Sequence, residues 1–281
     1  MGRIRQSFCM MSNIFREERR DKRVIMGFIL GVALFGYWMF FFLRYVQETG
    51  EPVNVLETFI VIGHHYKNML FLVLGWLLVI ADAPFIKGNI YFILYRSSRK
   101  SWNLGMLFYI MLQAFLFTAC IALVSVAVSS IWGFWGAMWS SPVYHLAMDR
   151  TNQLGVKYNI TFPWENVMQS MAAPQAFALT FLFLWLYFVF LGVLLYVCNL
   201  FLKEIFGALI VFGVQLSGYL MQQDGYGGVS LMARAMPGYS IDGAGGEWKS
   251  ALLFVGLITF LALASLWLAG RVDFKDMAEG Q

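Results

Sequence analysis

Long apolar runs, separated by shorter polar segments, dominate the pattern of the chain. The runs are close to the length of about 20 residues at which an α-helix crosses a bilayer. They are continuous and do not alternate, which favours helices over the strands of a membrane barrel. The pattern predicts an all-α integral membrane protein with six transmembrane helices, at about residues 24–43, 68–86, 104–128, 176–198, 205–221 and 251–270.

One further apolar segment, residues 58–63, is too short to cross a bilayer. It is predicted to lie at the membrane interface, with the alternative that it lengthens the second span.

The composition of the chain excludes several classes of protein. The 281 residues are 60% hydrophobic and only 13% charged, whereas soluble domains are about 25% charged. An ordinary soluble enzyme is therefore excluded, and the net charge of +4 does not indicate a nucleic-acid partner.

The distribution of Lys and Arg predicts the orientation. If the N-terminus is cytoplasmic, residues 1–23, 87–103, 199–204 and 271–281 face inward. These segments hold 7, 4, 1 and 2 basic residues, which is 14 of the 20 in the chain. Cytoplasmic segments of membrane proteins carry such an excess. Both termini, including the tail at 271–281, are therefore predicted to be cytoplasmic.

Residues 1–23 have the pattern of an amphipathic helix that lies in the membrane interface. Ile4, Phe8, Met11 and Phe15 fall on one stripe, and the remainder is rich in arginine. Such a helix binds a membrane through its apolar face and through anionic lipid. The alternative is a disordered basic tail that only fixes the topology.

The loop after the second predicted span is the most informative stretch. Asp82 and Pro84 close the span, a short apolar element follows, and Arg96, Arg99 and Lys100 form a basic cluster. This combination indicates either a docking element for a cytoplasmic partner or an ordinary positive-inside anchor. An intramembrane carboxylate is a functional candidate, and Asp82 is expected to fix the loop through the backbone or through Arg96 or Arg99.

The same stretch resembles a known family. Asp-Ala-Pro-Phe at residues 82–85, a Tyr-x-x-x-Tyr-Arg run at 91–96 and Arg-Lys-x-Trp at 99–102 are similar to permeases of bacterial ATP-binding-cassette (ABC) transporters of the type-2 exporter class. The resemblance implies a multi-pass protein of the bacterial plasma membrane. It also implies that two permeases pair, as a homodimer or a heterodimer, and that each docks a separate ATPase subunit.

What the resemblance implies for individual residues follows from this plan. Residues 199–204 correspond to a second coupling point, which here is very short. Gln215 and Ser217 are implied to line the pathway or the dimer interface, and residues 229–236 a re-entrant helix. The main coupling loop is implied to comprise Lys87, Tyr91, Tyr95, Arg96, Arg99, Lys100 and Trp102.

Other motifs add little chemistry. Gly27 and Gly31 have the small-xxx-small spacing that lets helices approach closely, and dimer contact is one expected use. His64 and His65 are adjacent, so their side chains diverge on a helix and are poorly placed to share a metal ion. No phosphate loop, HExxH or GxSxG motif occurs.

The chain is therefore expected to be neither an enzyme nor the binder of a cofactor or metal ion, with ATP bound by the partner subunit. The alternatives are a non-transporting membrane subunit, such as a sensor or immunity protein, and a membrane-embedded enzyme. The second alternative requires clustered polar groups at the edge of the bilayer, which the predicted spans lack.

Overall fold

The computed structural model describes residues 3–84, 98–149, 151, 153–162, 164–202, 204–226, 228–242 and 246–270. The chain is 80% helical, with almost no strand. The prediction of an all-α fold is thereby confirmed. In the first half of the chain the helices are α1 (Arg3–Glu18), α2 (Lys22–Thr49), α3 (Glu57–Gly63), α4 (Tyr66–Ile80) and α5 (Arg99–Ser129).

In the second half of the chain, the structure describes five short helices and three long ones. Two short strands, β1 (Val53–Asn54) and β2 (Gly133–Phe134), pair in parallel and join the connections after α2 and α5. The short helices are α6 (Ser141–Met148), α7 (Gln153–Tyr158), α8 (Glu165–Ser170), α11 (Leu231–Arg234) and α12 (Pro237–Asp242). The long helices are α9 (Ala173–Phe201), α10 (Glu204–Gln223) and α13 (Glu247–Ala269).

Four of these helices, α2, α5, α9 and α13, are long and apolar enough to cross a membrane. Four such helices indicate a membrane protein. The second and fifth predicted spans coincide with helices of another kind. Helix α4 has only 15 residues, and α10, with 20 residues, is not among the four.

The second predicted span, residues 68–86, departs furthest from the structure. Helix α4 ends at Ile80, and residues 81–84 form turns. At its other end α4 is separated from α3 by a break at His64 and His65. All seven residues of α3 are buried, and this segment packs against α2, α5 and α9. The break coincides with the polar residues at 64–68, which separate the apolar segment 58–63 from the second predicted span.

The other long helices extend beyond the apolar runs because local polar contacts continue them. Helix α2 passes Arg44, which pairs with Glu48 one turn later at 3.2 Å, and ends at Gly50 with φ of +72°. Left-handed backbone at this position is typical of a glycine helix cap. Helix α5 begins at Arg99 because the hydroxyl of Ser98 accepts a hydrogen bond from the amide of Ser101.

Contacts between the helices fix the direction in which each one runs. Gly75 of α4 packs on Gly31 of α2, and Thr58 of α3 accepts a hydrogen bond from Ser129 at the end of α5. The pair α3–α4 is therefore antiparallel to both α2 and α5. Helix α9 packs against α3, α4, α5, α10 and α13. We call the end of the bundle where α2 begins the Arg23 end, and the opposite end the Glu57 end.

Helix α1 lies against α5 at the Arg23 end, so residues 3–18 form an ordered helix in place of the disordered tail considered above. The close approach is at Gly105, where a Cβ atom would meet the Cβ of Met10 and the carbonyl of Ser7. The packing face contains Ser7 and Met10, whereas Phe8 is 49% exposed. Of the apolar stripe predicted from the sequence, Phe8 stacks on Phe108 of α5 at 5.1 Å, and Met11 and Phe15 are partly buried against the core.

At the Glu57 end the connections fold over the helices. The hydroxyl of Tyr45 donates to the carbonyl of Pro142 at 2.9 Å, which holds α6 on α2. Helix α11 packs on α4 and α10, with Met232 and Met236 buried. The segment for which the resemblance implies a re-entrant helix, residues 229–236, therefore contains a short buried helix.

Candidate functional site: polar networks at the two ends

The predicted coupling loop is described only at its far end. Lys87, Tyr91, Tyr95 and Arg96 lie outside the described residues. Arg99 and Lys100 are exposed on the first turn of α5. They are accessible to a partner at the Arg23 end.

Trp102 requires a correction. Its side chain is only 2% exposed, and its ring lies 6.3 Å from that of Tyr196 on α9. A side chain buried between α5 and α9 cannot contact a docked protein. Trp102 therefore positions the start of α5 within the bundle and is removed from the predicted docking set. The sequence showed a tryptophan next to a basic cluster but could not show that α5 had already begun.

Asp82 has a different partner from the one expected. Its carboxylate forms an ion pair with the guanidinium of Arg23 at the start of α2, and Arg23 also lies 3.5 Å from Glu18. The expected partners were loop arginines. Of these, Arg96 is outside the described residues and Arg99 donates to the carbonyl of Gly270 at 3.3 Å. The end of the second predicted span is therefore anchored on the junction of α1 and α2.

A second bond holds the same end of α4. The side-chain amide of Asn199, near the end of α9, donates to the carbonyl of Ala83 at 2.6 Å. The adjacent Pro84 is buried. Gly207 on α10 is required at this point, because a Cβ atom there would overlap the amide of Asn199. The very short connection 199–204 is thus linked directly to the residues that lead into the predicted coupling loop.

The residue that follows the loop is tied in as well. The hydroxyl of Tyr196 donates to the side-chain carbonyl of Asn103 at 2.6 Å, and the amide of Asn103 donates to Ser265 at 3.0 Å. All three residues are buried. These bonds join the start of α5 to α9 and α13. We call the contacts of Arg23, Asp82, Asn199 and Asn103 the Arg23-end network.

Sequence reasoning named Asp82 but missed Arg23, Asn103 and Asn199 as its companions. Asn103 and Asn199 are isolated polar residues at the edges of apolar runs, and this isolation is the signal that could have identified them. A buried amide needs hydrogen-bond partners, so each one indicates a contact with another segment. The identity of that segment depends on the fold and is not visible in the pattern.

Gly27 and Gly31 serve packing within the chain. A Cβ atom on Gly27 would meet Val79 and the backbone of Gly75, and one on Gly31 would meet the ring of Phe117. Both glycines are buried by α4 and α5. The expected dimer contact on this face is therefore replaced by the close approach of α2 to α4.

Gln215 and Ser217, the two predicted pathway residues, lie on opposite faces of α10. Gln215 is fully buried, accepts a hydrogen bond from Tyr187 and donates to the carbonyl of Met69 at 2.9 Å. It therefore ties α10 to α9 and α4. Ser217 is exposed, and its hydroxyl donates to the carbonyl of Val214 within the same helix. Only Ser217 is open to a pathway or to a second chain.

The Glu57 end holds a network that the sequence did not suggest. The Glu57 carboxylate accepts bonds from the backbone amides of Asn54 and Ser140, at 3.0 and 2.6 Å, and from the hydroxyl of Ser140. The side-chain amide of Asn54 donates to the carbonyls of Gly136 and Met138. Glu57 is fully buried. We call this set the Glu57-end network.

Glu57 begins α3 beside the end of α5, and its partners Asn54 and Ser140 belong to the connections that follow α2 and α5. Burial raises the pKa of its carboxyl group to about 7, and the bonds from Ser140 and Asn54 oppose this shift. Burying a carboxylate is costly unless donors surround it. The network can therefore hold the connections in one arrangement, with the Ser140 hydroxyl committed to the Glu57 carboxylate.

The histidines are used in packing. His64 bonds the carbonyl of Ile60 at 2.7 Å and accepts a bond from the amide of Gly238 at 3.2 Å. The ring of His65 lies 4.3 Å from that of Trp38. Within the described ranges, no group of three His, Cys, Asp or Glu side chains could hold a metal ion.

Comparison with known proteins adds no identity to this geometry. No protein-family model, no curated protein and no solved structure matches the chain.

Proposed function

We propose that this chain is the permease subunit of a bacterial ABC transporter, of the exporter type. In this proposal two permeases form the translocation pathway in the plasma membrane. A separate ATPase subunit docks on the loop that follows α4 and supplies the energy, so this chain binds no cofactor and performs no catalysis.

The Arg23-end network is the observation that carries the proposal. Asp82 and Ala83, just before the loop, are bonded to α2 and α9, and Asn103, just after it, is bonded to α9 and α13. A force applied to the loop therefore acts on several helices at once. A loop that only fixed topology would not need bonds to distant helices at both of its ends.

The proposal includes six crossings with both termini in the cytoplasm. The broken pair α3–α4 runs alongside α2, and α10 runs alongside α9 between the same two ends. With these two crossings added to the four long helices, both termini fall at the Arg23 end. The excess of basic residues supports a cytoplasmic position for this end.

Co-purification with an ATPase tests the proposal. The chain is co-expressed with the product of a neighbouring gene that encodes a phosphate-loop ATPase, and Arg96, Arg99 and Lys100 are changed to Glu. We expect the wild-type chain to retain the ATPase and the triple variant to lose it. A matched charge reversal at the other end, K157E with K249E, should leave the complex intact.

The proposal would be overturned if the triple variant and the matched control retained the ATPase equally. It would also be overturned if the wild-type chain failed to retain it under conditions in which both proteins are folded.

A further inference from the structure

An apolar groove separates the α1–α2 junction from α5. It encloses about 520 Å³ and opens to the outside of the bundle. Its polar lining residues are Arg19, Gln113 and Cys120, and the amide of Gln113 is bonded to the hydroxyl of Tyr109 at 2.9 Å. Most of the wall is aliphatic or aromatic, and includes Phe15, Val24, Phe28, Ile29, Leu116 and Leu123.

The groove has the length and depth of one leaflet. Its lining on α5 extends from Gln113 to Leu123, which is about 15 Å at 1.5 Å per residue. The hydrocarbon core of a bilayer is about 30 Å thick, so the groove covers about half of it. Gln113 is about 24 Å from Ser129, the last residue of α5. Leu123 is about 9 Å from Ser129, so the lining on α5 crosses the middle of that helix. On α2 the lining begins at Val24, two residues after the helix starts at Lys22, so the groove begins near the Arg23 end of the bundle.

One cationic side chain lines the groove, and two more lie close to it along the chain. Arg19 lines the groove itself, and Arg16 and Arg20 lie within one turn of it along the chain. All three are exposed, and their guanidinium groups have no hydrogen-bond or ion-pair partner among the residues the structure describes. Guanidinium groups suit phosphate oxygens because their donors are arranged as a planar fork.

We propose that the groove binds one acyl chain of an anionic phospholipid, with the lipid phosphate on Arg19. The apolar walls accept the chain, and the cationic side chains select an anionic headgroup over a zwitterionic one. The bound lipid would fill the space between the α1–α2 junction and α5, which otherwise opens to the side. This proposal rests on the groove alone and does not depend on the proposed transport function.

Photo-crosslinking tests where the acyl chain lies. The purified, delipidated protein is reconstituted with phosphatidylglycerol that carries a photoactivatable group near the end of one acyl chain. We expect the major adducts on peptides that contain Ile29 or Leu123, the deep end of the groove. Adducts spread evenly over the lipid-facing surfaces of α9, α10 and α13 would overturn the proposal.

Native mass spectrometry tests the headgroup. Phosphatidylglycerol and phosphatidylcholine with identical acyl chains are titrated separately, and phosphatidylglycerol should bind more tightly. R19Q should weaken its binding about fivefold, the effect expected for one cation near a membrane surface, and leave phosphatidylcholine unchanged. R5Q, on α1 and outside the groove, is the matched control. Equal binding of the two lipids, or equal effects of R19Q and R5Q, would contradict the proposed contact.

A groove-filling variant provides a second route. A119W should abolish the preferred binding of both lipids while the helical circular-dichroism signal is retained. If A119W does not fold, the crosslinking result and the comparison of R19Q with R5Q decide the question without it. Retention of wild-type lipid binding by folded A119W would show that the acyl chain lies elsewhere.

Discussion

The two ends of the bundle both use a carboxyl group to hold connections, but in opposite ways. At the Glu57 end the carboxyl group is fully buried and bonded to two backbone amides and a hydroxyl. At the Arg23 end the side chain of Asp82 is 49% exposed and paired with one guanidinium. The first arrangement leaves no alternative partner within reach, whereas the second can exchange its partner for water.

The two arrangements differ in how much they are expected to contribute to the stability of the fold. Exposed or half-exposed ion pairs contribute little to stability, about 0–1 kcal/mol, whereas leaving a buried donor unbonded costs about 1–3 kcal/mol. The Glu57 carboxyl group is therefore fixed strongly, whereas the Asp82–Arg23 pair can be broken and reformed beside the buried bonds of Asn103 and Asn199. In the proposed permease, the Arg23 end is the end at which a partner would act.

The largest expected effect is the loss of the Glu57 carboxyl group. Glu57→Ala leaves the buried amides of Asn54 and Ser140 without their acceptor and should lower the free energy of unfolding by about 4 kcal/mol. Denaturant unfolding of the purified protein, followed by circular dichroism, measures the change. Glu51→Ala, in the same connection but exposed, should have little effect. Similar losses in both variants would remove the contrast between the two ends.

Gly75→Ala tests the close packing of α4 against α2, the two helices that run between the ends of the bundle. The added Cβ atom would lie 2.9 Å from the backbone N and Cα of Gly31, and neither atom can move without shifting α2. We expect a loss of about 2 kcal/mol, as for other overpacked sites. Gly36→Ala is the control, because nothing lies within 4 Å of its added Cβ atom. It should be neutral or stabilise α2 by roughly 0.5–1 kcal/mol.

The pH dependence of stability isolates the ionisation of Glu57. Burial raises the pKa of this group from 4.5 to about 7 in the folded protein, so the folded state holds the proton more tightly than the unfolded state. Its contribution to stability is fully present below about pH 4.5 and is lost as the pH rises towards 7. The wild-type protein should show this decline relative to Glu57→Gln, which cannot ionise. Parallel curves for the two proteins over this range would contradict the assigned shift.

The smallest effects are expected at the Arg23 end. Asp82→Asn should cost less than about 1 kcal/mol, because its side chain is half exposed. Arg23→Gln should cost more, about 1–2 kcal/mol, because the nearby Glu18 is only 1% exposed and loses a cation as well. A double-mutant cycle measures how strongly the two residues are coupled. A larger loss from Asp82→Asn than from Glu57→Ala would reverse the comparison.

The sequence predicted the length and hydropathy of the long helices, but it did not predict which segments contact one another. The apolar runs led correctly to α2, α5, α9 and α13, because spanning length and hydropathy are properties of a single segment. The polar residues at 64–68 also separate the apolar segment 58–63 from the second predicted span, and the structure breaks the helix at His64 and His65.

Contacts between distant segments were beyond the pattern for a physical reason. A glycine spacing such as that of Gly27 and Gly31 shows that a helix can be approached closely, but it does not say which helix approaches. The partner proved to be Gly75 of the same chain. Similarly, Asp82 and Glu57 were visible as carboxylates, while Arg23 and Ser140 became their partners only through the fold.

The central claim is that the Arg23 end faces the cytoplasm and the Glu57 end faces outward, and cysteine labelling in intact cells tests it most directly. Single cysteines are placed at Lys100 and at Lys157 in a variant lacking Cys9, Cys120 and Cys198, and a membrane-impermeant maleimide is added. The account predicts that K157C is labelled in intact cells and K100C only after the membrane is permeabilised. Labelling of K100C in intact cells, with K157C protected, would contradict it.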